Sequence, residues 1–489
     1  MSVKNKVQLI TYPDSLGGSL TGLDEVLSRF FPGLFQGGIH ILPPFPSSGD
    51  RGFAPLTYTE VDPAFGSWDD IRRLGERYDI VLDLMVNHIS SRSPFFVDFL
   101  RYGRASEWAD LFITLDKYWP AGIPAQSDID RMFLRRPRPY STFEVGAGGI
   151  HETVWTTFGK TDPSEQIDLD WHSPRFEGLI GSVLDTFSRH GVKIVRLDAV
   201  GYLIKKLGTN CFFVEPEIYQ FMDWLKAMAD ARGLTLLPEV HAPPAIQRRL
   251  SEHDSWTYDF ILPYLILEAL IIRSSIRLRP YLGSRSAKQF TMLDCHDGVP
   301  VKPDMDGLYA PEDARRLIQT CLDRGANLSR VVSREHQDPD GFDVHQIRGT
   351  YYSLLGCDDD AYIAARAIQF FVPGIPQVYY VGLLAGQNDL AAVARTGDGR
   401  EINRHDFTTD EISAAAHADV VRRLERLIRL RNSHPAFDGA FQVLDSEDGR
   451  LRLAWSTGSE ECVLDVDFAS STATVESVDS LGQVERVSL

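Results

Sequence analysis

Three carboxylates stand where short apolar runs end: Asp198 closes VRLD, Glu239 follows LLP and Asp297 follows LDCH. Histidines and an arginine accompany them, at His88 (in DLMVNH), Arg196, His241 and His296. Two carboxyl groups about 5 Å apart are what retaining glycosyl transfer requires, one attacking the anomeric carbon and the other protonating the leaving oxygen. Arg196 is two residues before Asp198, so the two side chains point the same way along a strand. An adjacent cation keeps a carboxylate ionised and fit to attack. Glu239 needs the reverse, a partly apolar, carboxylate-rich setting that raises its pKa so that it acts as an acid. Singly, a strand-end Asp is more often a turn residue and a His a structural one. The joint pattern, with each group on a different run, points to catalysis.

The runs that carry these residues number eight, over 7–12, 39–42, 80–86, 192–197, 234–237, 256–260, 290–293 and 375–380. Runs this short and this apolar suit strands buried on both faces. Between them, helical spacing of apolar residues predicts helices over 176–189, 216–231 and 420–430, and a helix start near 67–70. Eight alternations of strand and helix are the count of an α/β fold, the closed (β/α)8 TIM barrel, in which all strand tips converge on one mouth. Two stretches break the rhythm. Residues 89–171, after the third strand, are rich in Pro, Gly, Arg and aromatics and predict an inserted subdomain; residues 299–360 predict a long loop region after the seventh. After Pro435 the pattern turns to alternation, as in Leu451 to Trp455, which predicts a small antiparallel β domain. The expected domains are the barrel, 1–88 and 172–437, the insert, 89–171, and the C-terminal β domain, 438–489.

The chain has 489 residues, and 50 Lys and Arg against 68 Asp and Glu leave a net charge of −18. That excess argues against non-specific binding to nucleic acid or anionic membranes, while leaving room for a local basic pocket. Five scattered cysteines without a Cys-x-x-Cys pair exclude a disulfide framework or thiol-zinc site and fit a reducing cytosol. The first residues lack the apolar core of a signal peptide, and no run of eighteen apolar residues occurs. A soluble, cytoplasmic enzyme is expected.

DLMVNH (83–88), VRLDAVGYLIKK (195–206), PEVHA (238–242) and LDCHDG (293–298) resemble, in order, the four conserved regions of the α-amylase superfamily of glycoside hydrolases. The resemblance covers the chain from Val7 to about Phe437. It implies that Asp198 is the nucleophile, Glu239 the general acid/base and Asp297 the transition-state stabiliser, with Arg196, His88 and His296 holding the glucosyl unit. VQLITYPDSLGG, ILPPFPSSGDRGF, GIPQVYYVGLLAGQND and GREINRH are similar to the sucrose phosphorylase branch. In that branch an Asp and a distant Arg grip the 4-hydroxyl of the terminal glucosyl unit, and the matching positions are Asp50 and Arg400. Phe53 and Phe158 match aromatic residues lining the pocket, with Phe53 placed to set π density near a developing cation. Gln166 matches a polar residue near the acceptor entrance. The branch opens its glucosyl ester with phosphate and yields α-glucose 1-phosphate with retention. Asn87 matches a calcium-binding position of amylases, but 89–165 shows no cluster of oxygen ligands and the branch is similar to metal-free members, so no cofactor is expected.

Branch members differ in the group that leaves glucose, and two loops decide it: Phe133 to Pro139, and Gly341 to Gln346. The second resembles the Leu-Asp-Leu-Tyr-Gln of plain sucrose phosphorylases, with His345 in place of the Tyr. That departure, with an Arg in the first loop, is similar to members acting on sucrose 6-phosphate. A guanidinium binds phosphate bidentately, and an imidazolium adds a second charged donor. Arg136 and Arg138 are the candidates for phosphate; the plainer reading is that Arg135 and Arg136 are solvated loop charges and Arg138 alone meets inorganic phosphate. Asp343 and Gln346 match acceptor-contacting positions. Expected partners are small molecules only (sucrose 6-phosphate or sucrose, inorganic phosphate, glucose 1-phosphate, fructose 6-phosphate), with the chain a monomer or homodimer. The competing readings are a sucrose, glucosylglycerol or glucosylglycerate phosphorylase, a hydrolase or transglucosidase using the same carboxylates, and a barrel that has lost its chemistry.

Overall fold

A computed structural model describes residues 3–146, 148–337, 342–481 and 483–489. All eight predicted strands form: β1 (Gln8–Thr11), β2 (Gly38–Ile41), β3 (Ile80–Met85), β4 (Val192–Asp198), β5 (Thr235–Pro238), β6 (Thr257–Asp259), β7 (Gln289–Thr291) and β8 (Ile375–Tyr379). The chain divides into two compact units. The first comprises Ile41–Val240 and Val331–Asp343; the second comprises the chain up to His40, His241–Arg330 and Val344–Leu489.

In the first unit β3 pairs with β4 and β4 with β5, all parallel, with Met85 opposite Asp198 and Arg196 opposite Leu237. In the second, β6 pairs with β7, β7 with β8 and β8 with β1, again parallel. Both runs are stretches of the cyclic strand order of a (β/α)8 fold. Every residue of β3 is buried, including Asp83, as strands covered on both faces require. The predicted helices are α1 (Trp68–Gly75), α2 (Pro174–Arg189), α3 (Glu217–Asp230) and α4 (Asp419–Ser433). Ser67 and Asp70 form a capping box at the start of α1, and Ser173 with Pro174 starts α2, which buries Phe176, Ile180, Val183, Leu184 and Phe187 on one stripe.

The inserted region has its own framework: a helix at Pro94–Tyr102, a hairpin of Tyr140–Val145 and Ile150–Trp155, and an antiparallel pair in which His88–Ser90 meets Gln166–Asp168. The 299–360 stretch is more than the expected loop. It holds a 13-residue helix, Pro311–Asp323, and a sheet in which Val344–Arg348 lies between Val299–Pro300 and Asn327–Arg330. Gly341, at the start of the second acceptor loop, lies outside the described residues. The C-terminal domain is a five-stranded antiparallel meander from Ala440–Leu444 to Val484–Ser488, burying Leu451, Leu453, Cys462, Leu464, Val466, Ala473 and Val475. Among the described residues no helix is long and apolar enough to cross a membrane, and none of the five cysteines forms a disulfide.

Candidate active site

Strand geometry builds the centre of the first unit. Arg196 and Asp198 share a face of β4, and Asp83 sits on the neighbouring β3 with Arg196 as its register partner. The Arg196 guanidinium, almost wholly buried, bonds Asp83, reaches Asp198 Oδ1 at 3.0 Å and meets Glu239 Oε1 at 3.2 Å. Ala199 adopts a left-handed conformation (φ 51°), which costs a non-glycine residue about 1–2 kcal/mol. The strained turn aims the Ala199 N–H at Glu239 Oε2, 2.9 Å away.

Burial and the Glu239 charge push Asp198 well up, against the pull of Arg196. Two buried carboxylates this strongly coupled titrate as a pair. The expectation that the adjacent Arg196 favours an ionised Asp198 is corrected in its net outcome, because burial and the Glu239 charge outweigh the guanidinium; Arg196 also meets Glu239, which accepts the Ala199 N–H.

Around this pair stand the aromatic and histidine groups. The Phe53 ring lies under the Arg196 guanidinium, 5.7 Å to its centroid. The Phe53 carbonyl accepts a hydrogen bond from His88 Nε2 at 2.9 Å, and the His88 ring lies 5.4 Å from that of Phe158. Burial pushes His88 down, which favours the neutral imidazole. Asp50, Arg51 and Gly52 form a turn with three successive positive φ angles, 50°, 49° and 106°. At Gly52 a Cβ would come within 2.5 Å of the Pro43 carbonyl oxygen, so only glycine fits. Asp50 bonds Lys160 Nζ at 3.0 Å.

Gln166 is buried on the short strand opposite Ser90, two residues from His88. Arg136 is buried too. Its guanidinium donates to the carbonyls of Phe158 (3.3 Å) and Thr161 (3.0 Å), so it is no solvated loop charge. Arg138 is 60% exposed and pairs with Asp162 at 2.5 Å. Arg135, which the sequence leaves as a loop charge, stacks over Phe158 at 5.9 Å.

Asn87 has a definite task. Its Oδ1 accepts from Lys205 Nζ at 3.0 Å, and the same buried ammonium bonds Thr157 Oγ1 (3.0 Å), the Tyr202 carbonyl (2.5 Å) and Asp168 Oδ2 (2.6 Å). The cation that these four oxygens surround is a lysine side chain. Lys205→Met leaves Asp168 as a buried charge without it, at a cost of about 3–5 kcal/mol. Calorimetry of the variant should show Tm lower by several degrees; an unchanged Tm would show that the ammonium is not needed there.

The second unit carries the third carboxylate. Asp297 lies beyond the end of β7, 3.4 Å from Arg400 Nε, 3.9 Å from Arg404 Nη2 and 3.9 Å from His296 Nε2. Although burial pushes Asp297 up, Arg400, His296 and Arg404 win and hold it well below the ordinary carboxylate range. Arg404, fully buried, donates through Nε to the His296 carbonyl at 3.0 Å. Arg404 is a site residue that the sequence expectations lack; its signal is its place in GREINRH, four residues after Arg400. His345 and Gln346 are buried on Val344–Arg348, with His345 Nδ1 donating to the Lys302 carbonyl at 2.5 Å. The backbone carbonyl of Asp343, in the first unit, accepts from Val331 N at 2.7 Å.

Residues 8–253 match the model of the α-amylase catalytic domain. The chain belongs to the α-amylase family. It is 57% identical to a sucrose 6(F)-phosphate phosphorylase of Thermoanaerobacterium thermosaccharolyticum over 99% of both chains. It is 43% identical to a sucrose phosphorylase of Streptococcus mutans serotype c over 90% of this chain and 89% of that one. Among solved structures, the crystal structure of sucrose 6F-phosphate phosphorylase from Thermoanaerobacter thermosaccharolyticum superposes with a TM-score of 0.99 at 56% identity, covering 100% of this chain and 99% of the other.

Proposed function

We propose that the chain is a retaining glycoside phosphorylase that converts sucrose 6-phosphate and inorganic phosphate into α-glucose 1-phosphate and fructose 6-phosphate. The observation that carries this reading is the 57% identity, over nearly the whole of both chains, to a sucrose 6(F)-phosphate phosphorylase. Asp198 attacks the anomeric carbon, Glu239 gives its proton to the departing fructosyl oxygen, and a glucosyl ester forms as the glycosidic bond breaks. A phosphate oxygen then attacks the same carbon. Its proton passes to Glu239, the ester bond breaks and Asp198 is restored. Two inversions give net retention. Asp297, kept ionised by Arg400 and Arg404, stabilises the cation-like transition state. Asp50, Phe53, His88, Phe158, Arg196, His296 and Arg400 hold the glucosyl unit.

At the acceptor end, His345 with Asp343, Gln346 and Gln166 meets fructose 6-phosphate. Of the arginines, Arg136 is committed to loop carbonyls and shapes the insert. Arg138 is held by a surface pair worth about 0–1 kcal/mol, readily exchanged for a phosphate. Arg135, stacked on Phe158, stands against the glucosyl wall. The barrel, insert and C-terminal domain boundaries given above belong to this proposal, as does a cytoplasmic location.

The direct test is kcat/KM for sucrose 6-phosphate against sucrose in phosphate buffer, with anomer-resolved product analysis. A preference for the phosphorylated substrate and a requirement for phosphate are expected; free glucose released at the same rate without phosphate would mean a hydrolase. His345→Tyr should lower kcat/KM for sucrose 6-phosphate about tenfold more than for sucrose, the loss of about one charge-assisted hydrogen bond. An equal fall on both substrates would show that His345 does not read the phosphate.

A further inference from the structure

Asp304 has no exposed surface (0%), and among the described residues its carboxylate Oδ1 has no hydrogen-bond partner. The other oxygen, Oδ2, accepts from His241 Nδ1 at 3.2 Å, and the Ala242 backbone N–H also bonds this carboxylate. Burying a carboxylate is costly unless a cation accompanies it. Among the described residues, the ion pair recorded for Asp304 is with His241. Burial leaves Asp304 raised overall, and His241 is foremost among the groups that offset it.

The ring of His241 is firmly placed. It stacks on Phe260 at 4.0 Å and 20°, and meets the His345 ring edge-on at 6.2 Å. One short segment addresses both imidazoles, in different ways. The Lys302 carbonyl, a neutral acceptor, takes His345 Nδ1, and the Asp304 carboxylate, a charged one, takes His241 Nδ1. A carbonyl fixes a ring's orientation; a carboxylate fixes orientation and favours the protonated form. Other charged groups bear on His241. Asp297 interacts with it electrostatically, His345 faces it, and Glu239 precedes it by two residues in the chain. Lys302 Nζ is turned to Asp306, 3.6 Å away.

We propose that Asp304 is a positioning residue that orients His241 and keeps it an imidazolium, so that the acceptor end carries a standing positive charge for a phosphate dianion, free or esterified. The inference rests on the phosphorylase reading above. It distinguishes two histidines of one cluster: His345 is oriented by a neutral carbonyl and His241 by a carboxylate.

Asp304→Asn keeps the size of the side chain and one acceptor oxygen and removes the charge. With loss of about one pKa unit of support for the imidazolium, KM for inorganic phosphate should rise about tenfold at pH 8 and about twofold or less at pH 6, where an imidazole is protonated unaided. Phosphorolysis of sucrose and of sucrose 6-phosphate are run side by side. An increase in the KM of inorganic phosphate alone assigns the charge to the free ion; an added loss on sucrose 6-phosphate assigns it to the ester as well. Release of nitrophenol from 4-nitrophenyl α-glucoside, which needs no anion to form the ester, should be unchanged. Nuclear magnetic resonance of histidine-labelled protein should show His241 titrating about one pH unit lower in the variant. A His241 titration that does not move, or nitrophenol release falling as far as phosphate use, would overturn the proposal and leave Asp304 a structural tie. If the parent protein used no phosphate, the phosphorylase reading would fail, and the titration would still decide the Asp304–His241 pair. If Asp304→Asn does not fold, His241→Gln serves: the KM for phosphate should rise at both pH values, and an unchanged KM would overturn the proposal.

Discussion

Asp198→Asn should abolish turnover and raise the melting temperature at neutral pH. Without a carboxylate to form the glucosyl ester, kcat is expected to fall by about 10⁴–10⁶, as loss of a covalent nucleophile does elsewhere. The gain in stability follows from the charge balance around Arg196. One guanidinium faces Asp83, Asp198 and Glu239, so the buried cluster holds more negative than positive charge. The Asp198 pKa is raised in the folded chain, first by burial and then by Glu239. A carboxyl whose folded pKa lies above its unfolded value destabilises the fold increasingly as pH climbs from the unfolded value through the folded one. Asparagine removes that penalty. The stabilisation should therefore be larger at pH 7.5 than towards pH 4, where the parent carboxyl is protonated too. Scanning calorimetry at the two pH values reads it directly. A Tm that falls at pH 7.5 would mean that Asp198 is a structural partner of Arg196 first and a strained catalytic group second.

Glu239→Gln should separate proton transfer from attack. Fructose and its phosphate are poor leaving groups that depart only as a proton arrives, and a positioned acid contributes about 10²–10⁴ in rate. Formation of the glucosyl ester from sucrose 6-phosphate should slow by about 10³. Nitrophenolate leaves without a proton, so 4-nitrophenyl α-glucoside should lose about tenfold or less. One limb of the pH–rate profile should flatten as well, because one member of the pair no longer titrates. Equal losses on both substrates would remove Glu239 from the role of proton donor.

Much of this was legible in the sequence because barrel strands are short and uniformly apolar, so a charged residue at the tip of one stands out. Asp198, after VRL, and Asp297, after LDCH, are of that kind, and Arg196 is visible through its spacing from Asp198. The 299–360 stretch was harder. Its helix Pro311–Asp323 buries Ala314, Leu317, Ile318 and Cys321, a pattern available to inspection, with Pro311 at the first turn and Glu312 and Asp313 behind it. Gly and Pro on either side of that spacing mask it and give the stretch the composition of a loop. Tertiary partners were beyond reach altogether. Nothing in FLRRPRPY says that Arg136 turns inward to the carbonyls of Phe158 and Thr161 while Arg138 stays in solvent. Nothing in VKPD says that Asp304 is buried against a histidine 63 residues earlier. Such pairings depend on which loops the barrel brings together, and one-dimensional spacing does not carry that.

The ammonium of Lys205 has a practical corollary. A positive charge bonded to the backbone by its own side chain cannot be drawn off by a chelator, diluted away or displaced by a competing ion. At that node, integrity is inherited with the polypeptide and owes nothing to the mineral composition of the medium.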